Sequence, residues 1–575
     1  MATFEQYGAI GDGVTDDRDA VYNALNSGNA ITCVKGSTYY IGSDITVTGK
    51  NINISGGAFF LFNNTAKVEF TGTKSISTNL AANAIINDTQ ITVVDASGFS
   101  VGDLFSITTN HDTSWGYQTD TDYRKGELHL ITNITSNVIY IDDKIWHDYT
   151  YDDGYIYKVQ RFVPISVIIT NLIFKYITPQ IPTYGLQITY AKNNVLDGVI
   201  MHDSQKIGVS FKECYNSQFK NGTINGTNHV DTGYGLLFHS CSKSTVTGNK
   251  FYRTVKCVES TCVTPDDDYG KFPNRNLTVN GINKGRGYGV TNDGRVFNTE
   301  YANYFIHTHA PSQNVTVSGN IIKNYYAHLV SAGVDMTFTE NQISGYSHFI
   351  AMCVYGERNT ITNNTVDGTV DSFVHIEDMG GDCDLVATGN DVKTLQSHFI
   401  SIGGTAKPTN VTVQNNTAEF INDAVCLVYS SLNITTLTDS GNTWIGDGVK
   451  GIDDFIINGD FDSELAWVCQ DTWSIADGVA SCTGASINPT TGAMYQAATG
   501  IKDYPGSKFL ITINVLTGEG TSIGVYSPIG GYIFQTVVAG QNTYEITSDG
   551  VYDGIVVINH GVVPFTINNI TAVKE

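Results

Sequence analysis

The sequence predicts an all-β chain: a right-handed single-stranded parallel β-helix, a small β-barrel insertion near its N-terminus and a C-terminal β-sandwich. Three observations predict it. Asn or Asp followed two residues later by an apolar residue (Thr223 in one case) recurs at 171, 197, 221, 249, 280, 320, 341, 364, 390, 416 and 442. Each is followed by a short strand opened by Gly, His or Cys, such as Gly208-Val209-Ser210-Phe211, Gly235-Leu236-Leu237-Phe238 and Cys257-Val258-Glu259. No helical periodicity separates the repeats. A β-rich unit of this length cannot bury its own apolar face, so units must stack into a solenoid, at about 4.8 Å per coil. A leucine-rich repeat lacks its Leu framework here, and pentapeptide helices have shorter periods. The recurring Asn suits a turn in left-handed backbone.

The elements follow in order. Residues 1–75 read as a cap helix and first coils. Phe4-Glu5-Gln6-Tyr7-Gly8-Ala9-Ile10-Gly11-Asp12-Gly13-Val14-Thr15-Asp16-Asp17 opens the chain, and a helix is expected over Asp17–Leu25 with Asp16 as its N-cap. Residues 76–160 break the repeat: Ile91–Asp95, Val101–Ile107, Gly126–Ile131 and Val138–Asp142 are strands separated by turn residues, a small β insertion. The Asp-, Trp- and Tyr-rich stretch His111–Arg124 within it is a candidate contact for sugar or for a second subunit. Residues 161–450 form the main β-helix, the catalytic part. Residues 451–575 return to strands without the repeat and are expected to fold as a β-sandwich, with Trp467 and Trp473 in its core.

Composition excludes several classes. With 41% hydrophobic and 11% aromatic residues the chain is not disordered. No apolar run is long enough for a membrane helix, and Met1–Gln6 has neither the basic nor the apolar part of a secretion signal. A formal charge of −24 repels nucleic-acid phosphates and anionic membrane, so neither nucleic acid nor membrane insertion is expected. Ten Cys occur without a C-x-x-C pair, so no metal or redox cofactor is expected and most are small core residues. Cys469 and Cys482 are the candidate disulfide, against which stands the reducing compartment of a chain without a signal.

The opening motif resembles that of pectate-lyase-superfamily β-helix proteins, bacteriophage tailspikes and capsule depolymerases in particular. With the coil pattern, the resemblance covers residues 1–450. It implies a homotrimer of parallel rods, attachment to a virion tail or an adaptor protein, action at the host-cell exterior, and a bacterial surface polysaccharide, capsule or lipopolysaccharide O-antigen, as substrate. It also implies that the terminal sandwich resembles a carbohydrate-binding module, serving trimerisation or sugar contact. The Asn-Thr-Asp, Gly-His-Gly and Arg-Ile-Lys signatures of polygalacturonases are missing.

Strand alternation selects the outward residues. They include Glu259 and Glu377 at the third strand position and Lys212, His239 and Asp293 at the fifth. Residues 206–295 carry twelve basic and seven acidic side chains, a cationic band on an anionic chain and a candidate binding surface for an acidic polysaccharide. Glycoside hydrolysis needs two carboxyl groups, and Glu259 with Asp293, expected one coil and two residues apart, gives a backbone separation of about 8 Å, which leans towards inversion. Glu377 is the reserve. Lys212, His239, Arg286, Tyr288 and Arg295 are the candidate substrate-binding residues. Two rivals stand beside this endo-glycosidase: a lyase, with His239, Tyr288, Arg286 and Arg295 supplying the base and the countercharge for β-elimination, and a receptor-binding fibre without catalysis. The structural alternatives are a solvated strand carboxylate for Glu259 and a turn residue for Asp293. His328, His348, His375 and His398 are read as a packing ladder, and Asp266-Asp267-Asp268 as a solvated loop.

Overall fold

The computed structural model describes residues 1–63, 66–112, 124–151, 154–177, 184–204, 206–227, 233–261, 274–282, 284–287, 304–308 and 312–376, apart from 324, 326 and 346; beyond these it describes 382–402, 407–420, 428–429 and 436–445, and the strands from 468 to 574 with some of their turns. The chain divides into two units: residues 1–368 with 379–390, and residues 369–378 with 391–575. Among the described residues no helix is long and apolar enough to cross a membrane.

The first unit is a stack of coils, each built of three short strands in parallel register with the coils before and after. Strand Leu186–Thr189 lies on Ile207–Lys212, which lies on Tyr234–His239, then Lys256–Thr261, then Tyr304–Thr308. Leu186, Val209, Leu236, Val258 and Ile306 stack in one inward column. Phe211 and Phe238 stack in the next, with ring planes 7° apart. All are buried, because each coil covers the apolar edge of its neighbour.

The end of the stack is closed by the N-terminal segment. The helix runs Arg18–Asn26, one residue later than the sequence suggests, and turns Ala20, Val21, Ala24 and Leu25 inward. Asp16 accepts the Arg18 N–H at 3.1 Å and the Gly42 N–H at 3.0 Å. Buried Asp17 accepts the N–H groups of Ile10 and Gly11, so the acidic motif braces the turn and the first coils. Asp12 accepts Val14 and Thr15 N–H within its own turn.

The repeated Asn does two jobs, and the expectation of one needs correction. Asn171 and Asn221 hold left-handed backbone as expected. At Asn249, Asn320, Asn341, Asn364 and Asn390 the left-handed residue is the one before, namely Gly248, Gly319, Glu340, Asn363 and Gly389, whereas at Asn280 it is the one after, Gly281. Asn320, Asn341, Asn364 and Asn390 are buried instead. The Asn341 Oδ1 accepts both the Asn320 N–H and its Nδ2, while Asn341 Nδ2 donates to Val317 O and to Asn364 Oδ1. These amides thereby bond from coil to coil. Asn341→Ala orphans several of them and is expected to lower stability by about 2–3 kcal/mol in urea unfolding; a loss below about 0.5 kcal/mol would contradict the ladder's role.

His328 and His348 do not stand at the same point of their coils. Register pairs Ala327 with Phe349 and Leu329 with Ala351, which sets Ile350, not His348, beside His328. His328 is buried, meets Ser347 Oγ at 2.6 Å, and burial pushes its imidazole down to about 3. It is neutral in the fold and takes a proton on unfolding below its usual 6.5, so its contribution to stability falls as pH drops from 6.5 towards 3. His328→Gln should flatten the decline of Tm between about pH 7 and pH 4, where one such group contributes up to about 1.4 kcal/mol per pH unit; an unchanged slope would remove His328 as a cause.

Residues 73–163 form a six-stranded antiparallel sheet. Hydrogen bonds from Ala81 N to Thr92 O and from Val94 N to Asn79 O join its outermost strands. Its core holds Ile91, Phe105, Ile107, Ile131, Ile139, Tyr149 and Val159. It is fastened to the coils by Tyr215 Oη donating to Asp142 at 2.5 Å, by Lys243 with Asp142 at 3.1 Å, and by the stacked rings of Phe162 and Tyr190. Of the stretch 111–124, residues 113–123 lie outside the described residues.

In the second unit, coil strands run to Thr443–Ile445, and Asn416 Nδ2 donates to Asn442 Oδ1 at 2.9 Å. Two five-stranded antiparallel sheets follow. Phe509, Ile511, Ile513, Tyr544, Ile546 and Ile567 are buried there. Cys469 and Cys482 fall on strands of different sheets; their side chains, like those of Trp467, Trp473 and Asp266–Asp268, lie outside the described residues. Cys33, Cys214, Cys241 and Cys257 are buried free thiols.

Candidate functional site

The outward residues of the strands at 207–212, 234–239, 256–261 and 304–308 meet on one face. The inward column fixes their register, so side chains far apart in sequence become neighbours. Glu259 stands beside Leu237 on one side and His307 on the other; Lys256 stands between Tyr234 and Tyr304. Lys212, His239 and Thr261 form the parallel column two residues further along.

Glu259 is outward but not solvated: only 2% of it is exposed. The expectation of an open strand carboxylate fails because its neighbours enclose it. Both its oxygens lie 2.8 Å from His307 Nδ1, and Lys256 Nζ is 3.1 Å from Oε2. Lys256 also lies over the rings of Tyr234 at 5.0 Å and Tyr304 at 5.5 Å. The Tyr304 ring stacks on His307 at 4.9 Å with planes 12° apart. The side chains of Lys256 and His307 are 11% and 12% exposed, so they form the accessible rim of a buried charge. An ammonium this close suits an ionised carboxylate, and an ionised carboxylate suits a base or an orienting group rather than an acid.

The coil after Glu259 is not the one expected. Its strand is Tyr304–Thr308, with His307 opposite Glu259, rather than Gly289-Val290-Thr291. Asp293, with Tyr288 and Arg295, lies outside the described residues. Arg286 has described backbone in strand Lys284–Gly287, paired with Tyr252 and Lys323, a different strand of the coil from Glu259; its side chain and Glu377 lie outside the described residues. Among the residues expected at the site, the structure brings together Glu259, His239 and Lys212. Sequence reasoning missed Lys256, Tyr234, Tyr304 and His307. The available signal was the shared spacing of Tyr234, Lys256 and Tyr304, each two residues before an inward apolar residue.

Four of the twelve basic residues of the cationic band are paired with carboxylates. Lys220 pairs with Asp197 at 3.5 Å, Arg253 with Asp203 at 3.0 Å, Lys243 with Asp142, and Lys256 with Glu259. Arg275 is buried. Part of the surplus counted along the chain is thus offset by neighbouring carboxylates.

Comparison with known proteins agrees with this architecture. The family model described as the right handed beta helix region matches residues 308–440. The tailspike protein gp49 from Pseudomonas phage LKA1 is 15% identical, covers 99% of this chain and 100% of its own, and superposes with a TM-score of 0.53. The Gp54 tailspike of Acinetobacter baumannii bacteriophage AP22, solved in complex with A. baumannii capsular saccharide, is 14% identical, with 100% and 96% coverage and a TM-score of 0.55. The tailspike gp61 of Pseudomonas phage phi297 is 12% identical, with 100% and 98% coverage and a TM-score of 0.54. No curated protein sequence matches. The chain is a right-handed parallel β-helix protein whose fold resembles that of phage tailspikes.

Proposed function

We propose that this protein is a depolymerase that binds and endo-cleaves a bacterial surface polysaccharide, capsule or O-antigen, as a homotrimer carried on a virion tail directly or through an adaptor protein, acting at the host-cell exterior. The observation that carries the reading is the enclosed Lys256–Glu259–His307 cluster, flanked by Tyr234 and Tyr304 on the outer face of adjacent coils. Buried charge of this kind is costly to a fold and is concentrated where proton transfer is performed. The aromatic rings beside it offer faces to the apolar side of a sugar. Hydrolysis is the reaction we favour: Glu259 on the basic side, Asp293 as the acid, Glu377 in reserve, and Lys212, His239, Arg286, Tyr288 and Arg295 for substrate. One observation favours β-elimination instead, namely a His held by a carboxylate, an arrangement suited to removing a carbon-bound proton.

The test is size-exclusion chromatography of a panel of purified bacterial surface polysaccharides after incubation with the protein. Shortening of at least one polymer is expected. A polymer that is bound and stays intact would make the protein a receptor-binding fibre.

A further inference from the structure

A second sheet of the stack runs from strand Ile173–Tyr176 to strand Gln342–Ser344, one strand per coil, all parallel and in register. Each strand buries its middle residue, as at Phe174, Met201, Ile224, Phe251, Ile322 and Ile343, so the residues on either side of it form two register columns. Between Lys175 and Ser344 these columns hold Lys175, His202, Lys250, Lys284, Arg286 and Lys323, and no carboxylate. The whole chain has 56 acidic residues against 32 basic ones, so the strip reverses the charge of the molecule locally.

Lys175, Lys250 and Lys323 are exposed, and among the described residues none of the three meets a carboxylate. Lys284 and Arg286 hold the register positions paired with Lys250 and Lys323. At the border of the strip Asp203 is taken up by Arg253 at 3.0 Å. Burial, and after it the charges of Lys175 and Arg253 working against Asp203, hold the His202 imidazole below its usual range. Lys250 and Lys323 stand two coils and two residues apart, about 12 Å between backbones, and Lys175 to Lys323 spans about 24 Å of the stack. A gap of about 12 Å exceeds the screening length of about 8 Å in physiological salt, so the two lysines repel each other little. An anion lying on the strip meets each of them at contact. A small anion would use one or two of these charges, whereas a linear polymer with a carboxylate in its repeat uses the whole length.

Resting on the depolymerase reading above, we propose that this strip is a second binding surface, beside the Glu259 face, for a linear acidic polysaccharide lying along the stack. The two surfaces adjoin: strand Lys250–Thr254 is separated from Lys256–Thr261 by Val255 alone. A polymer held on the strip is thereby kept near the face that carries Glu259, and the cations that recognise its acid groups are not the one committed to Glu259.

The test is retention of the full-length protein on immobilised polygalacturonate, a linear polyuronate, with uncharged dextran as the comparison. The wild-type protein should be held by the polyuronate at about 50 mM salt, be released at about 500 mM, and pass through dextran. Lys250→Gln with Lys323→Gln should weaken binding by about 5–10-fold, and Lys250→Arg with Lys323→Arg should preserve it. Lys35→Gln with Lys50→Gln makes the same change of net charge at exposed lysines outside the strip and should leave binding intact. Equal weakening by the two Gln pairs overturns the proposal, because net charge alone would then explain binding; so does a wild-type protein that the polyuronate does not hold. If Lys250→Gln with Lys323→Gln instead dissociates an oligomer in size-exclusion chromatography, the strip faces an acidic surface of a second copy and the proposal falls. A wild-type protein that shortens a polymer yet fails these binding tests loses the strip and keeps the depolymerase reading. One that binds as expected and shortens nothing keeps the strip and loses that reading.

Discussion

Arg275→Met should destabilise the first unit by about 3–5 kcal/mol, because it strands a buried charge. Glu127, in the insertion, is fully buried. It accepts hydrogen bonds from Trp146 N, His147 N and Tyr149 Oη, and meets His129 Nε2 at 2.7 Å. Burial alone would raise its carboxyl, but the charge of Arg275 and the bond from His129 outweigh that and hold it at about 2. Arg275 comes from the coil strand Arg275–Asn280, itself buried and bonded to Gln313. The sign in pH follows. A carboxyl lowered from 4.5 to about 2 stabilises the fold above pH 4.5, and that contribution is lost as pH falls through 2. Arg275→Met should therefore also move the onset of acid unfolding to higher pH. The double variant with Glu127→Gln should recover part of the stability, since no charge is then left alone. Urea unfolding reads all three chains; a single-variant loss under about 1 kcal/mol would mean that the two groups are not coupled.

Asp293→Asn should cut polysaccharide cleavage by about 100–10,000-fold while binding persists, because an amide cannot deliver the proton that the departing oxygen needs. Glu377→Gln, the reserve carboxyl, should leave most activity in place. Initial rates and retention on immobilised polysaccharide separate the two effects. The reverse pattern would move the acid to Glu377, and loss of binding in Asp293→Asn would make that residue a substrate contact.

The fold was legible because each coil repeats the same physical demand. Every turn needs a left-handed residue and every coil an inward apolar pair, so Gly248-Asn249, Gly319-Asn320 and Gly389-Asn390 announce themselves. The opening Asp12 to Asp17 was legible as structural, although Asp17 rather than Asp16 stands at the N-cap and Asp16 also accepts from Gly42, 26 positions away. The site was legible only in part. Alternation identified Glu259 as outward, but outward is not exposed: its enclosure depends on His307, 48 positions away. The strand paired with Lys256–Thr261 is Tyr304–Thr308, 48 positions on, whereas Gly289-Val290-Thr291 offers the same sequence pattern sooner, so the register slipped at the coil that matters. The charge band was legible only in part for a related reason. Lys243 is neutralised by Asp142 of the insertion, a pairing across 101 positions that no local count contains.

The central claim, that this face of the β-helix cuts a surface polysaccharide by adding water, is tested most directly by the mass of the products. Oligosaccharides released from a susceptible polymer should each be heavier by one water per cut. Products lacking that water and carrying a new double bond would contradict hydrolysis and establish a lyase on the same fold.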